Sequence, residues 1–528
     1  MNSVIPLLRG ASPRYPYPLR LSSRLTSNVV SRAFISTNAA VPTTVAGFLN
    51  FKPQDAVSDV KIDGFVRSVR AQKRHSFVAL GDGSSLESLQ AVVPPDQAEG
   101  LSSGAAVRLH GSWTPSLGSR QSHELHVERA TVLGPSDAKT FPIQKKYQTA
   151  EYLRTLPHLR PRIPFNTTVL RLRSEIIASL TRFFGNRNFI QTHTPILTSS
   201  DCEGAGEVFK VSAGDPSPSP SESKTAKSKP FFRRPVYTTV SAQLHLEALA
   251  QALGNVWTLS PTFRAEQSDT PRHLSEFYML EAEMSFTDDL ESVMNLAEGM
   301  LKHIATDLST SRVKDELLVR TGDGASDLAT AEQVEQRWAG ILQPSWPRIT
   351  YTEAIQILKD SSTAFSRSPT WGEDLHTEHE KYIAAEVGNG SPVFVTNYPR
   401  DIKAFYMKAN VGDRVESPPG ATVECFDLLV PDFCEIAGGS MREHRLDNLL
   451  ESMRTHGIAP TSSDDAVESD SPQSAENNLS WYVDLRRWGC PPHGGFGVGF
   501  DRLICYLSGI QTIHDTSAFP RWYGRCDC

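Results

Sequence analysis

The sequence predicts an α+β protein with a small β-barrel near its N-terminus. Three observations carry this. Residues 57–134 hold about five short alternating runs separated by Gly, Ser and Pro turns. From residue 166 the apolar spacing turns helical. Beyond that point helical stretches mix with β-rich runs such as SPVFVTNYP (391–399) and ATVECFDLLV (421–430), without regular βαβ alternation or an internal repeat. At 528 residues, 39% hydrophobic and 21% charged, the chain has the size of two or three domains with large cores. No apolar run reaches the roughly 18 residues a membrane helix needs, so no membrane contact is expected.

The composition shifts most at the N-terminus. Residues 1–40 contain five arginines, seven serines and no acid, and the first carboxylate is Asp55. Such an arginine- and serine-rich, acid-poor stretch without an apolar core resembles a mitochondrial transit peptide and implies a matrix location. The alternative is a basic tail. The run Arg32-Ala33-Phe34-Ile35-Ser36 resembles a processing site, which places the mature start between about 34 and 42. The net charge of −7 argues against a protein basic all over, so any nucleic-acid contact requires a local basic patch. The seven cysteines include no CxxC pair, which favours a reducing compartment over disulfides or structural zinc.

In the barrel region, VKIDGFVRSVR, SFVAL, LQAVV, AAVRLHGSW and HELHVERATVL read as strands, a set that suits a barrel of the OB type. Lys61, Arg67, Arg70, Lys73 and Arg74 gather near the first hairpin with Phe65 and Phe77 between them. Basic side chains beside exposed rings suit single-stranded nucleic acid; a solvated hairpin with core phenylalanines is the other reading. Residues 135–165 read as a linker, and 166–528 as the larger domain. Two Ser/Pro-rich segments, 214–230 and 455–476, read as disordered insertions.

The chemistry concentrates in three places. In 260–286, SPTFRAEQSDTPRHLSEFYMLEAEMSF, two strands flank a polar turn. Period two sets Arg264 and Glu266 on one face, and Phe277, Met279, Glu281 and Glu283 on one face of the return strand. With Arg272-His273 in the turn, this hairpin suits a bent nucleoside triphosphate, while a salt-bridged solvated helix is the plainer reading. In 494–521, Gly495, Gly497 and Gly499 leave one strand face bare for a flat ligand, or mark a bulge, before Asp501-Arg502 opens an amphipathic helix. In 424–445, Asp427 and Glu435 lie near Gly438-Gly439, a carboxylate pair of the kind Mg²⁺ uses. Neither a GxxxxGK[ST] loop nor a GxGxxG between strand and helix is present, so these frameworks do not serve a nucleotide here.

Together FRAEQSDTPRHLSEF and GFGVGFDRL, after a weaker helix–strand segment ending at Pro195, resemble the class II aminoacyl-tRNA synthetases of the aspartate/asparagine/lysine subgroup. The resemblance spans roughly 57–521 and implies an antiparallel sheet flanked by helices, a homodimer, and the substrates ATP (with Mg²⁺), an amino acid and tRNA. It implies that Arg264 meets the α-phosphate, that Glu266 accepts from the adenine amino group, and that Phe277 and Arg502 sandwich the adenine. Arg272 and His273 would meet the outer phosphates with Arg502, Leu274 and Gly499 would complete the ATP site, and Asp427 and Glu435 would hold the metal. On the barrel, Gln90 matches the reader of the middle anticodon base, with Phe77 stacking and Arg70 beside it.

RHLxEF resembles the aspartate/asparagine branch. DCEGAGEVF (201–209) resembles its mobile loop, with Glu203 placed for the α-amino group; Ser241 and Gln243 belong to the amino-acid site. Where aspartate enzymes carry a lysine, this chain has Leu246, followed by Glu247. Glu247 would accept from the NH₂ of an amide, and a like-charge contact with aspartate costs about 4 kcal/mol, roughly a thousandfold. Arg442 would donate to the side-chain oxygen. The resemblance therefore implies L-asparagine and tRNA(Asn). An aspartate or non-discriminating enzyme is the nearer alternative, and a non-catalytic paralogue that binds tRNA or senses amino acids the farther one. Met441, where the family has glutamine, and Asp501, where it has glutamate, depart from the pattern.

Overall fold

The computed structural model describes residues 41–118, 121–144, 146, 148–199, 208–213, 231–232, 234–319, 328–412, 420–458 and 479–528. Residues 1–40, Glu203, the insertion at 214–230 and all of the second insertion beyond 458 lie outside these. Pro42–Cys528 forms one compact unit. Among the described residues no helix is long and apolar enough to cross a membrane.

Period-two burial builds the barrel. A short helix, α1 (Val45–Asn50), precedes strands β1 (Val57–Ala71), β2 (Ser76–Gly81), β3 (Leu89–Val93), β4 (Ala106–Pro115) and β5 (His123–Gly134). They close in the order β1-β2-β3-β5-β4, with β3 and β5 parallel and the other pairs antiparallel. Val60, Ile62, Val107, Leu109, Trp113 and Leu125 fill the interior. Alternation inward and outward along each strand is what a closed small barrel requires. A bulge between Val66 and Ser68 shifts the pairing of β1 with β2. Arg67 consequently leaves the basic surface expected of it. Its Nη1 donates to Leu86 O at 2.8 Å and Ser88 Oγ at 3.1 Å, and its Nη2 to Ser85 O at 3.1 Å.

The segment expected as a plain linker is structured and anchored. It holds α2 (Ala150–Arg154), and Arg154 and Arg160 grip Asp515 at 2.7 and 3.1 Å. Arg162 donates to Gly104 O at 2.9 Å and lies over Phe65 at 4.4 Å, so Phe65 faces this segment.

Helix α3 (Pro164–Gly185) buries Val169, Leu172, Ile176, Leu180 and Phe183 at helical spacing, with Pro164 at its start, where a missing N–H costs nothing. The chain then runs through β6 (Ile190–Gln191), β7 (Leu197–Thr198), β8 (Tyr237–Thr238), α4 (Gln243–Leu253), β9 (Asn255–Phe263), β10 (Glu276–Ser285), α5 (Leu290–Asp307) and α6 (Arg312–Leu317). It continues through α7 (Ala331–Ile341), β11 (Arg348–Thr350), α8 (Tyr351–Asp360), α9 (Thr377–Glu386), β12 (Val393–Thr396), β13 (Cys425–Val430) and β14 (Cys434–Met441). It closes with α10 (Leu446–Thr455), α11 (Ser480–Arg487), β15 (His493–Gly499) and α12 (Phe500–Ser508).

Among the described residues eight strands form one sheet in the order β11-β12-β13-β14-β15-β10-β9-β6. The end pairs β11/β12 and β6/β9 are parallel and the inner pairs antiparallel. Helices α3, α5 and α12 pack with the sheet around one core that includes Leu280, Ala282, Phe496 and Val498. This is the α+β architecture the sequence predicts. The central strands β14, β15, β10 and β9 bring together segments nearly 250 residues apart, and the site forms on them.

Candidate active site

A cavity of about 830 Å³ opens over the centre of the sheet. It is lined by Arg264, Glu266, Arg272, His273, Leu274 and Phe277 from the β9–β10 hairpin, and by Gly497, Gly499 and Arg502 from β15 and α12. Both segments singled out in the sequence therefore face one space. Strand β9 ends at Phe263, so Arg264 and Glu266 sit in the connection just past the strand rather than on it. Arg264 is 3.9 Å from Glu266 and its guanidinium is 5.7 Å from the Phe277 ring centre. His273 is 3.4 Å from Glu266, and its Nδ1 meets Ser268 Oγ at 3.1 Å and Thr270 Oγ1 at 2.5 Å.

The helix after β15 is aimed by Asp501, which is buried. Its carboxylate accepts from Arg173 at 2.6 Å and from the Tyr278 N–H at 2.9 Å, tying α12 to both α3 and β10. The one-carbon-shorter acid in place of glutamate thus has its partners. Arg502 Nη1 donates to Glu435 O at 3.0 Å.

Asp427 on β13 and Glu435 on β14 also line the cavity. A Cβ on Gly438 would lie 3.4 Å from both Asp427 Oδ1 and Glu435 Oε1, so the two carboxylates converge over one glycine. Burial, and then the neighbouring Asp427, push Glu435 above the usual carboxylate range. Two carboxylates converging over one glycine at the cavity wall supply the oxygen ligands that a hard divalent cation takes. Lys403, unforeseen in the sequence, donates to Asp427 at 2.7 Å. Glu380 on α9 was equally unforeseen; burial, then Glu435 and Asp427, push it up to about 7.

The far end of the cavity holds the other polar group. Ser241 Oγ donates to Glu281 Oε1 at 2.5 Å, and the Ala242 N–H to the same carboxylate at 2.9 and 3.0 Å. Gln243, Leu246, Glu281, Glu283 and Arg442 line this end. Arg442 grips Glu283 with Nε at 3.2 Å and Nη2 at 3.1 Å. Gly495 is required here: a Cβ at that position would be 2.0 Å from Glu283 Oε2. The bare strand face at Gly495 therefore admits a protein carboxylate, whereas Gly497 and Gly499 face the cavity. Met441, beside Arg442, is buried in the core and does not line the cavity.

Glu247 departs from expectation. It is fully buried and does not line the cavity. Its carboxylate accepts from Arg486 at 2.6 Å, Tyr482 Oη at 2.8 and 2.9 Å, His493 Nε2 at 3.0 Å and Gln243 Nε2 at 3.2 Å. With its oxygens so engaged it has no capacity left for a substrate amide. Burial alone would raise the Glu247 carboxyl, but Arg486 and His493 outweigh it and hold it well below the usual range. Burial pushes Glu283 the other way, against the pull of Arg442.

His493 meets two acceptors, Pro491 O at 2.8 Å from Nδ1 and Glu247 at 3.0 Å from Nε2. Both nitrogens must then donate, so the ring is an imidazolium. Burial opposes this, but the Cys490 thiol and Glu247 push His493 up to about 10. A pKa raised on folding gives stability that is complete below the unfolded value of about 6.5 and is lost as pH rises toward 10. His493→Gln is therefore expected to cost on the order of a few kcal/mol near pH 6 and progressively less toward alkaline pH. Urea unfolding of both chains across that range checks it; a pH-independent difference contradicts it.

On the barrel, Arg70 lies 4.9 Å over the Phe77 ring, its cross-strand partner. Gln90 on β3 donates to Glu124 at 3.2 Å. These three are on the barrel and none lines the cavity.

A closed five-stranded barrel thus precedes a mostly antiparallel sheet whose cleft gathers arginines and carboxylates. The model for tRNA synthetases class II (D, K and N) matches residues 149–523, and the chain belongs to that family. Over 472 residues it is 43% identical to an asparagine–tRNA ligase of Geobacter sulfurreducens, covering 88% of this chain and 95% of the relative. Over 483 residues it is 40% identical to the mitochondrial asparagine–tRNA ligase of Saccharomyces cerevisiae, covering 88% and 92%. A crystal structure of asparaginyl-tRNA synthetase from Pyrococcus horikoshii complexed with asparaginyl-adenylate matches with a TM-score of 0.72 and 28% identity, over 88% of this chain and 95% of that one.

Proposed function

We propose that this protein is an asparagine–tRNA ligase: it joins L-asparagine to ATP as asparaginyl-adenylate and then esterifies tRNA(Asn). The observation that carries this reading is that one cavity is lined both by Arg264, Arg272 and Arg502 and by the Arg442–Glu283 pair. The first set suits a triphosphate and the second an amide. Arg442 donates to the side-chain oxygen, and Glu283 takes the role expected of Glu247, accepting from the NH₂. Leu246 in the wall offers no cation to an aspartate carboxylate. Glu281 and Ser241 support the α-amino end with Gln243, and Glu203 of the loop outside the described residues joins them.

No protein nucleophile is needed. The asparagine carboxylate attacks the α-phosphorus, the bond to the bridging oxygen breaks, and pyrophosphate leaves with the electron pair. A hydroxyl of the tRNA's terminal adenosine then takes the asparaginyl group and AMP departs. The chain's contribution is positioning and preorganised charge. Arg264 faces the α-phosphate, Phe277 and Arg502 flank the adenine, and Glu266 accepts from its amino group. Arg272 and His273 hold the outer phosphates, with Leu274 and Gly499 completing the walls. Mg²⁺, held by Asp427 and Glu435, would neutralise phosphate charge.

The acid-free, arginine-rich residues 1–40 and the mitochondrial yeast relative favour the mitochondrial matrix. Exposed Ile190, Ile196 and Leu197 after α3 favour pairing with a second copy. The barrel reads the anticodon through Gln90, Phe77 and Arg70. Charging assays test this: tRNA(Asn) accepts asparagine and not aspartate, and Gln90→Ala lowers charging about tenfold or more while sparing pyrophosphate exchange. Equal loss of both activities contradicts the barrel's role, and charging with aspartate contradicts the amide pocket.

A further inference from the structure

A second cavity of about 450 Å³ lies behind the phosphate end of the first. Arg272, His273, Glu435, Arg502 and Ile513 line both, so these residues form a shared wall. The far side comes from α7 and α9, with Gln333, Arg337, Glu380 and Lys381, and from the β13–β14 turn at Asp432–Cys434. That turn has positive φ at Asp432 (69°) and Cys434 (62°), a strained backbone of the kind found at functional sites.

The lining holds the cations Arg272, Arg337, Lys381 and Arg502 and the acids Glu380, Asp432 and Glu435. Asp432 is matched by Arg337 at 2.8 Å, and Glu435 lies 3.9 Å from Arg502. Arg337 is nearly buried, and its Nε has no hydrogen-bond partner among the described residues. The Arg272 guanidinium reaches into this chamber and finds only weak acceptors: Asp432 O at 3.3 Å, Thr377 Oγ1 at 3.4 Å and Cys434 Sγ at 3.6 Å. Among the described residues no carboxylate pairs with it. Lys381 lines the chamber and is exposed to solvent.

We propose that this chamber is a pyrophosphate subsite, which receives the leaving group through the Arg272–Arg502 wall and holds it on Arg272, Arg337 and Lys381 on its way to solvent. The inference rests on the adenylate-forming reading. When the carboxylate oxygen bonds to the α-phosphorus, the bridging oxygen leaves with the electron pair, and the new charge emerges beside Arg272 and Arg502. The adenylate still fills the first cavity, so the polyanion is drawn along the remaining cations. A route at the rear leaves the front of the cleft to the tRNA terminus.

The test is asparagine-dependent ATP–pyrophosphate exchange by the full chain, with pyrophosphate varied, in Lys381→Glu and Gln333→Glu. Glutamate at 333 keeps the helix cap that Gln333 forms with Thr330. Each variant is expected to raise the KM for pyrophosphate about fivefold or more, an effect that shrinks at high salt, while the KM for asparagine stays within about twofold. An unchanged pyrophosphate KM in both variants, with exchange intact, overturns the subsite alone. No asparagine-dependent exchange in the unaltered chain overturns the proposed function and the subsite with it.

Discussion

Arg264→Ala is expected to lose more than about a hundredfold in adenylate formation, the scale of removing one preorganised donor from a developing charge. Arg264 leaves the end of β9 with its guanidinium over the edge of the cavity, set between Glu266 and the Phe277 ring. Its side chain is one-third exposed, so truncation opens no core cavity and stability should move little. Burst measurement of adenylate in the first turnover reads the loss directly. Lysine at this position should recover only part of it, because a point charge does not reproduce the planar fork. Near-normal adenylate formation in Arg264→Ala would remove this residue from the chemistry.

The second large effect is on stability. Glu247→Leu should destabilise the fold by about 3–5 kcal/mol, because it strands buried cations. Arg486 and His493 are both buried and meet this carboxylate at 2.6 and 3.0 Å. Glu283, whose carboxylate lies within 4.8 Å of His493, is already engaged by Arg442. The double change Glu247→Leu, Arg486→Met should recover part of the loss, since replacing both partners by apolar groups spares the desolvation cost. Equilibrium unfolding of the single and double variants decides the matter. A single-variant loss under about 1 kcal/mol would mean that the network contributes little.

Much of this was legible in the residues. The barrel came from period-two alternation between turns, and the phosphate end from Arg264 and Arg272 on either side of the SDTP turn and from GFGVGFDRL. Glu281 and Glu283 could have been read the same way, since they share a strand face with Phe277, which was assigned. Glu247 could not. On α4 it follows Leu246 by one residue, about 100° around the helix, so only one of the two can face the cavity. Its partners Tyr482, Arg486 and His493 are 235 or more residues away, and no local pattern announces them. Arg67 went astray for a local reason, the bulge at Val66–Ser68, which alternation cannot foresee. Lys403 and Glu380 carry no motif and acquire meaning only through the packing of α9 and β13 around the acid pair.

The most direct test of the central claim is amino-acid-dependent ATP–pyrophosphate exchange, with asparagine and aspartate offered separately to the chain begun near residue 42. Exchange with asparagine, and at least about a hundredfold less with aspartate, is predicted by Leu246 in the wall and by the proposed role of Glu283 toward the amide. Comparable exchange with aspartate would keep the fold and the ATP end but contradict the amide pocket.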